Sequence, residues 1–318
     1  MDTVTCPRCR ATNRADLTNC AACRINLQFA AENPTAIELT KREAAETGRQ
    51  GDVITGSRAQ DRPILLPVLL LLGSFAFAFC LGEAVHELGH YLAHRAYGTE
   101  VGVKLDPFGG SRTLGSSAPP ETWGTTSAAG PLFNLLVGLT VSVSLWRYRR
   151  PALLPLVLWG PIALVQEGVT FSLGMLTPGG DAQLIAESGV PAPLILGLGV
   201  LFLLSGVVAV CWVLPLVSLS PSDSFGRRFA IISGGMVSFM VIRLIGSSVL
   251  SPRLAQEQAV PFVFALLLAA IVAALYGPAH SVLRRLPDVE STSVRWPAAA
   301  SSTVLGVAMI LFQMVTLN

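Results

Sequence analysis

His86, Glu87 and His90 stand in the stretch EAVHELGHYLAH, residues 83–94, and are the residues of this chain best suited to do chemistry. On a helix, positions four apart lie on one face one turn from each other, so the two imidazoles can share one ion while Glu87 stands beside them. Two imidazoles and a neighbouring carboxylate are the parts of a hydrolytic zinc site: the metal lowers the pKa of a bound water to about 7, and the carboxylate removes its proton. His94 does not join them. It lies about 12 Å along the axis from His86 at ~1.5 Å per residue, a distance one ion does not bridge, and reads as a polar residue near the membrane surface.

A third ligand must come from another element, and MLTPGGDAQLI, residues 175–185, offers Asp181. Pro178, Gly179 and Gly180 break the backbone just before it. Unwound backbone at membrane depth is tolerated only against protein or a watery cavity, so such a turn would present the carboxylate of Asp181 to the histidines.

The elements that must position these groups are membrane helices. Of the 318 residues, 52% are apolar and only 13% charged, against roughly 25% charged in soluble domains. Seven apolar runs approach the ~20 residues a bilayer needs: about 64–94, 127–146, 151–176, 194–217, 229–250, 260–277 and 297–317. The first exceeds one bilayer thickness and is expected to tilt or to extend beyond the lipid. An all-α polytopic membrane protein follows. In that setting HExxH gains meaning, because each charge at bilayer depth costs ~2.5–3.5 kcal/mol and does not persist without a role. A net charge of +2, with charges in short clusters between apolar runs, gives no basic face for nucleic acid.

With the amino terminus in the cytoplasm, seventeen of the 22 Lys and Arg fall on the inner side; Arg95, Lys104, Arg112 and Arg253 fall outside and Arg243 within a span. The positive-inside rule therefore favours a cytoplasmic amino terminus. The first 62 residues are polar, with nine Lys/Arg against eight Asp/Glu and no apolar leader, so this segment is expected to stay where it is made.

That segment carries CPRCRATNRADLTNCAAC, in which Cys6, Cys9, Cys20 and Cys23 form two CxxC pairs. Each pair can aim two thiolates at one ion, and the set reads as a structural zinc ribbon over residues 1–26 in preference to two disulfides or a redox CxxC, since nothing supports secretion and no βαβ pattern surrounds either pair. So small a patch has almost no core, and metal binding supplies most of its folding energy. A ribbon of this kind can also dock a protein partner. Residues 27–62 read as a linker, 63–190 as the metal-bearing core and 191–318 as additional transmembrane helices. Cys80 and Cys211 sit in apolar runs as small packing residues.

Other polar residues fall within or between spans. Glu83, one turn before Glu87, either hydrogen-bonds a ligand imidazole or faces a cavity. Glu167 either lines the same cavity or pairs with Arg243, and the pair is the preferred reading. His280, beside Pro278 at a span end, reads as interfacial. VGVKLDPFGGSRTL, residues 101–114, alternates and then turns at Gly109 and Gly110; it reads either as a membrane-dipping hairpin or as a surface loop.

HELGH at 86–90, AAGPLFN at 128–134 and TPGGDA at 177–182 together resemble the site-2 protease group of intramembrane zinc metalloproteases, over about residues 64–190. The resemblance implies that His86, His90 and Asp181 hold a catalytic zinc, that Glu87 is the general base, and that Asn134 helps to position substrate. It implies hydrolysis of peptide bonds in membrane-embedded protein substrates, which an edge strand from the hairpin would hold extended. TPGGDA is shorter than the family's aspartate motif, no stretch suggests a PDZ domain, and the family runs its HExxH helix towards the cytosol, opposite to the charge count. The alternative is a membrane scaffold or metal sensor that keeps the ligands without cleaving, with the ribbon as its interaction module. A base beside the ligands argues against it. A zinc transporter would spread ionisable residues over several spans, whereas here they cluster at one helix and one aspartate.

Overall fold

The computed structural model describes strands Thr3–Thr5 and Thr12–Arg14 and, from Pro63 on, residues 63–108, 111–115, 119–148, 150–176, 179–220, 223–250, 252–283 and 294–315. The chain divides into two units, Met1–Arg62 and Pro63–Asn318. In the first, β1 (Thr3–Thr5) and β2 (Thr12–Arg14) pair antiparallel, Thr3 opposite Arg14 and Thr5 opposite Thr12. Cys6 and Cys9 fall in the sequence between the two strands, but all four ribbon cysteines and the linker 27–62 lie outside the described residues.

The second unit is helical. In chain order it comprises α1 (Leu65–Ala96), the strands β3 (Val101–Lys104) and β4 (Arg112–Gly115), α2 (Trp123–Trp146), α3 (Leu154–Leu173), a short α4 (Asp181–Glu187), α5 (Ala192–Val213), α6 (Phe225–Leu250), α7 (Pro252–Leu283) and α8 (Trp296–Val315). Among the described residues seven helices are long and apolar enough to cross a membrane, and each expected apolar run coincides with one of them. Proline marks several starts: Pro120 and Pro151 open the 3-10 turns that lead into α2 and α3. A proline in a first turn gives up no intrahelical bond and already has a helical φ.

α1 has 32 residues, about 48 Å at ~1.5 Å per residue, against a hydrocarbon core of ~30 Å. His86 lies roughly 32 Å from its start on the same rise, so the HExxH turn sits towards the far end of the span. Because the chain reverses at each crossing, the ends of α1 and α3 and the start of α2 share that end of the bundle. β3, β4 and α4 lie in the connections there, and α1 packs against α2, α3 and β3 while α4 packs against α2.

α1 is gripped on two further sides. On α8, Ser302 hydrogen-bonds the Ser74 hydroxyl at 2.8 Å and Gln313 donates to the Cys80 carbonyl at 2.8 Å. Gly73 makes this approach possible, since a Cβ there would stand 2.5 Å from the Ser302 backbone. On α6, Phe239 packs edge-on against Phe75 and Phe79, and Arg243 donates to Glu83 at 2.9 Å with its guanidinium over the Phe79 ring. The preferred pairing of Glu167 with Arg243 is thus corrected: the face of α1 that carries Glu83 is turned towards α6, and Glu167 bonds elsewhere. With α5 along α3 and both α6 and α8 along α1, residues 191–318 belong to the same compact unit as 63–190.

Candidate metal centre

Three donor atoms converge where α1, α2 and α4 meet. His86 Nε2 lies 3.0 Å from His90 Nε2 and 3.1 Å from Asp181 Oδ2, and His90 Nε2 lies 3.4 Å from the same oxygen. Donors ~2.0–2.1 Å from a tetrahedral zinc stand about 3.3 Å from one another, so the triangle has the size that a zinc ion requires.

The hydrogen bonds behind the rings say which nitrogens face inward. His90 Nδ1 is 2.7 Å from the Thr126 carbonyl, which can only accept, so Nδ1 carries the proton. His86 Nδ1 is 3.0 Å from Glu167 Oε1 and donates to it. Both Nε2 atoms of the neutral rings therefore present lone pairs to each other and to Asp181. Burial opposes the ionisation of Asp181, and only when the rings of His86 and His90 are protonated do their hydrogen bonds and charge outweigh it and hold the carboxyl well below the usual carboxylate range. Lone pairs of two neutral imidazoles and a carboxylate at these distances repel unless a cation stands between them. The residues present fit zinc.

Local sequence explains the placement. Gly179 adopts φ +72° and Gly180 is extended, so the chain turns into α4 with Asp181 as its first residue. On the facing helix, Gly130 lies directly beneath His90: a Cβ there would stand 2.4 Å from Nε2. The His90 ring cannot yield freely, because Thr126 holds its other nitrogen. Gly130→Ala is accordingly expected to displace Nε2 and to weaken zinc binding while the helices stay folded, which a chelator competition read beside a circular dichroism melt would check.

Glu87 is buried next to the triangle, with a carboxylate oxygen within 4.8 Å of a ligand nitrogen of each histidine. Asp181 is nearer to both rings, whereas Glu87, although close enough to share an ion with them, is engaged by a hydroxyl. Thr113 of β4 donates to Glu87 Oε2 at 2.9 Å. β3 and β4 do form a hairpin, Val103 opposite Thr113 and Lys104 opposite Arg112. Nothing in the sequence singles out Thr113, since its role depends on the hairpin folding back over α1.

Asn134 and the acid behind His86 are placed by the packing of α2 and α3. Asn134 is fully buried, with Nδ2 donating to Glu167 Oε1 at 2.6 Å and Oδ1 accepting from Trp159 Nε1 at 3.0 Å. It meets the carboxylate behind the His86 ring, because α2 runs antiparallel to α1: Gly130 meets His90, and one turn on Asn134 comes level with His86. The carboxylate behind the His86 imidazole is Glu167, and Glu83, which spacing alone offered for that role, is bonded to Arg243. His94 lies outside the ligand set, its Nδ1 donating to the Thr99 hydroxyl at 3.1 Å. Of His280 the structure describes the helix only.

Comparison of the chain with family models, with curated proteins and with solved structures returns no match.

Proposed function

We propose that this chain is a zinc-dependent intramembrane protease, similar in its motifs to the site-2 protease group. The observation that carries the reading is the buried acid Glu87 beside a complete triangle of His86, His90 and Asp181. An ion held by two imidazoles and one carboxylate gains nothing from a second acid engaged by Thr113; a hydrolytic site needs one as its base. This also weighs against a scaffold or metal sensor.

His86, His90 and Asp181 would hold the catalytic zinc, leaving one position open as catalytic zinc sites do. Zinc bound there supplies Lewis-acid polarisation of the scissile carbonyl and an acidified water. Glu87 accepts that water's proton and returns it to the departing amide nitrogen, with Oε2 pinned by Thr113 and Oε1 left for the transfer. A helical peptide bond is shielded by its own hydrogen bonds, so a membrane-embedded substrate has to be drawn out first. β3 and β4 form a two-stranded sheet; each strand has an outer edge that can accept an extended segment. Cys6, Cys9, Cys20 and Cys23 would hold a second, structural zinc in a module suited to a protein partner. The distribution of Lys and Arg supports a cytoplasmic amino terminus, which places the site at the opposite face.

The test is the zinc content of the detergent-purified full-length chain with the four ribbon cysteines changed to Ser. About one zinc per chain is expected, and its recovery justifies a search for cleaved transmembrane substrates. A chain devoid of zinc would refute the protease reading.

A further inference from the structure

Behind His86 runs a buried line of polar side chains to which the proposed reaction gives no part. Trp159 and Glu167 come from α3 and Asn134 from α2. Their relative exposures are 4%, 1% and 0%. Buried polar groups of this kind are costly unless they are matched donor to acceptor, so the sense of each hydrogen bond can be worked out.

The sense starts at the indole. Trp159 Nε1–H can only donate, so the Asn134 atom 3.0 Å away is the carbonyl oxygen Oδ1. Asn134 then turns its amide Nδ2 towards Glu167 and donates to Oε1 at 2.6 Å. Oε1 accepts there, and its second lone pair is directed to His86 Nδ1 at 3.0 Å. A carboxylate oxygen that accepts on both sides admits only the His86 tautomer with the proton on Nδ1. Nε2, the nitrogen that faces His90 and Asp181, is thereby left bare.

We propose that Trp159, Asn134 and Glu167 form a positioning relay that fixes the tautomer and ring orientation of His86. The inference rests on the reading of His86 as a zinc ligand. Partners behind a ligand imidazole commonly change metal affinity by ~10–100-fold when removed, and here the relay has a built-in redundancy. While residue 167 is a carboxylate it can only accept, so it holds the His86 proton in place even if Asn134 is free to turn. Once residue 167 is Gln, its amide can donate instead, and the indole becomes the group that keeps Asn134, and through it Gln, facing the right way.

The relay therefore predicts a particular non-additivity, measured as zinc affinity by chelator competition in the full-length chain lacking the ribbon cysteines. Trp159→Phe alone should bind zinc close to the parent value, Glu167→Gln about 10-fold more weakly and the double variant about 100-fold more weakly. A merely structural role would lower the melting temperature of the metal-free chain and leave the affinities additive. Parent-like affinity in Glu167→Gln, or a double variant no worse than the product of the singles, would overturn the relay while the zinc site stood. A parent without zinc would remove both. If a substituted chain does not fold, 15N NMR of the zinc-loaded parent decides: with four histidines in the chain, the His86 signal should report zinc on Nε2 and a proton on Nδ1. Zinc on Nδ1 would refute the inference.

Discussion

Glu87→Gln is expected to bind zinc as the parent does and to lose roughly 10²–10⁴-fold in turnover, the usual contribution of a positioned general base. Gln keeps the length of the side chain and can accept from Thr113 as Glu87 Oε2 does, so the hairpin contact survives. What disappears is the capacity to take up a proton. Zinc content is unaffected because His86, His90 and Asp181 form the triangle without Glu87. The measurement pairs zinc stoichiometry with cleavage of a transmembrane substrate. Zinc loss together with activity would make Glu87 a ligand and would undo the division of labour between the two acids.

Asp181→Ala is expected to empty the site. Two imidazoles remain, but the only anionic ligand is gone, and with it the strongest attraction on a dication at this depth. Zinc bound to the ribbon-less chain should fall from about one per molecule to a level removed by dialysis. Acid should release the metal by a different route. Once protonated, the two imidazoles beside Asp181 hold its carboxyl well below the usual carboxylate range against the effect of burial, so it stays ionised as the pH drops through the histidine region, about 6.5. Release should accordingly track protonation of the rings, with binding full above that region and lost below it. A release midpoint unaltered by His90→Asn, with Asp181 intact, would contradict this order.

The transmembrane helices were legible because lipid imposes a rule that a single sequence can satisfy visibly: about twenty apolar residues in a row, bounded by prolines and arginines. The clustering of His86, Glu87 and His90 was legible for a similar reason, since all three lie within two turns of one helix. Asp181 could be read from the Pro-Gly-Gly break ahead of it. The residues misread are those whose partners are chosen by the rotation of one helix against another. Spacing along α1 puts Glu83 as near to His86 as a helix allows, yet the packing of Phe75 and Phe79 on Phe239 turns it to Arg243. The vacancy behind His86 is then filled by Glu167 from a helix that begins some seventy residues later. Thr113 and Trp159 left no trace in the sequence, because a threonine in a strand and a tryptophan in a membrane helix are ordinary until their neighbours are known.

The contacts between α1 and α8 set a timetable for biogenesis. Ser74 and Ser302 are separated by 228 residues, and Cys80 and Gln313 by 233. At ~5–20 residues per second of synthesis, the interval between making one partner and the other is on the order of ten to fifty seconds. Throughout it, the helix that carries His86, Glu87 and His90 has emerged from the ribosome without the neighbour that covers Gly73. A chain released early lacks this brace on its first span. The arrival of α8 is thus a step that closes the packing around α1, and the turn of α1 that carries His86, Glu87 and His90 waits for that brace.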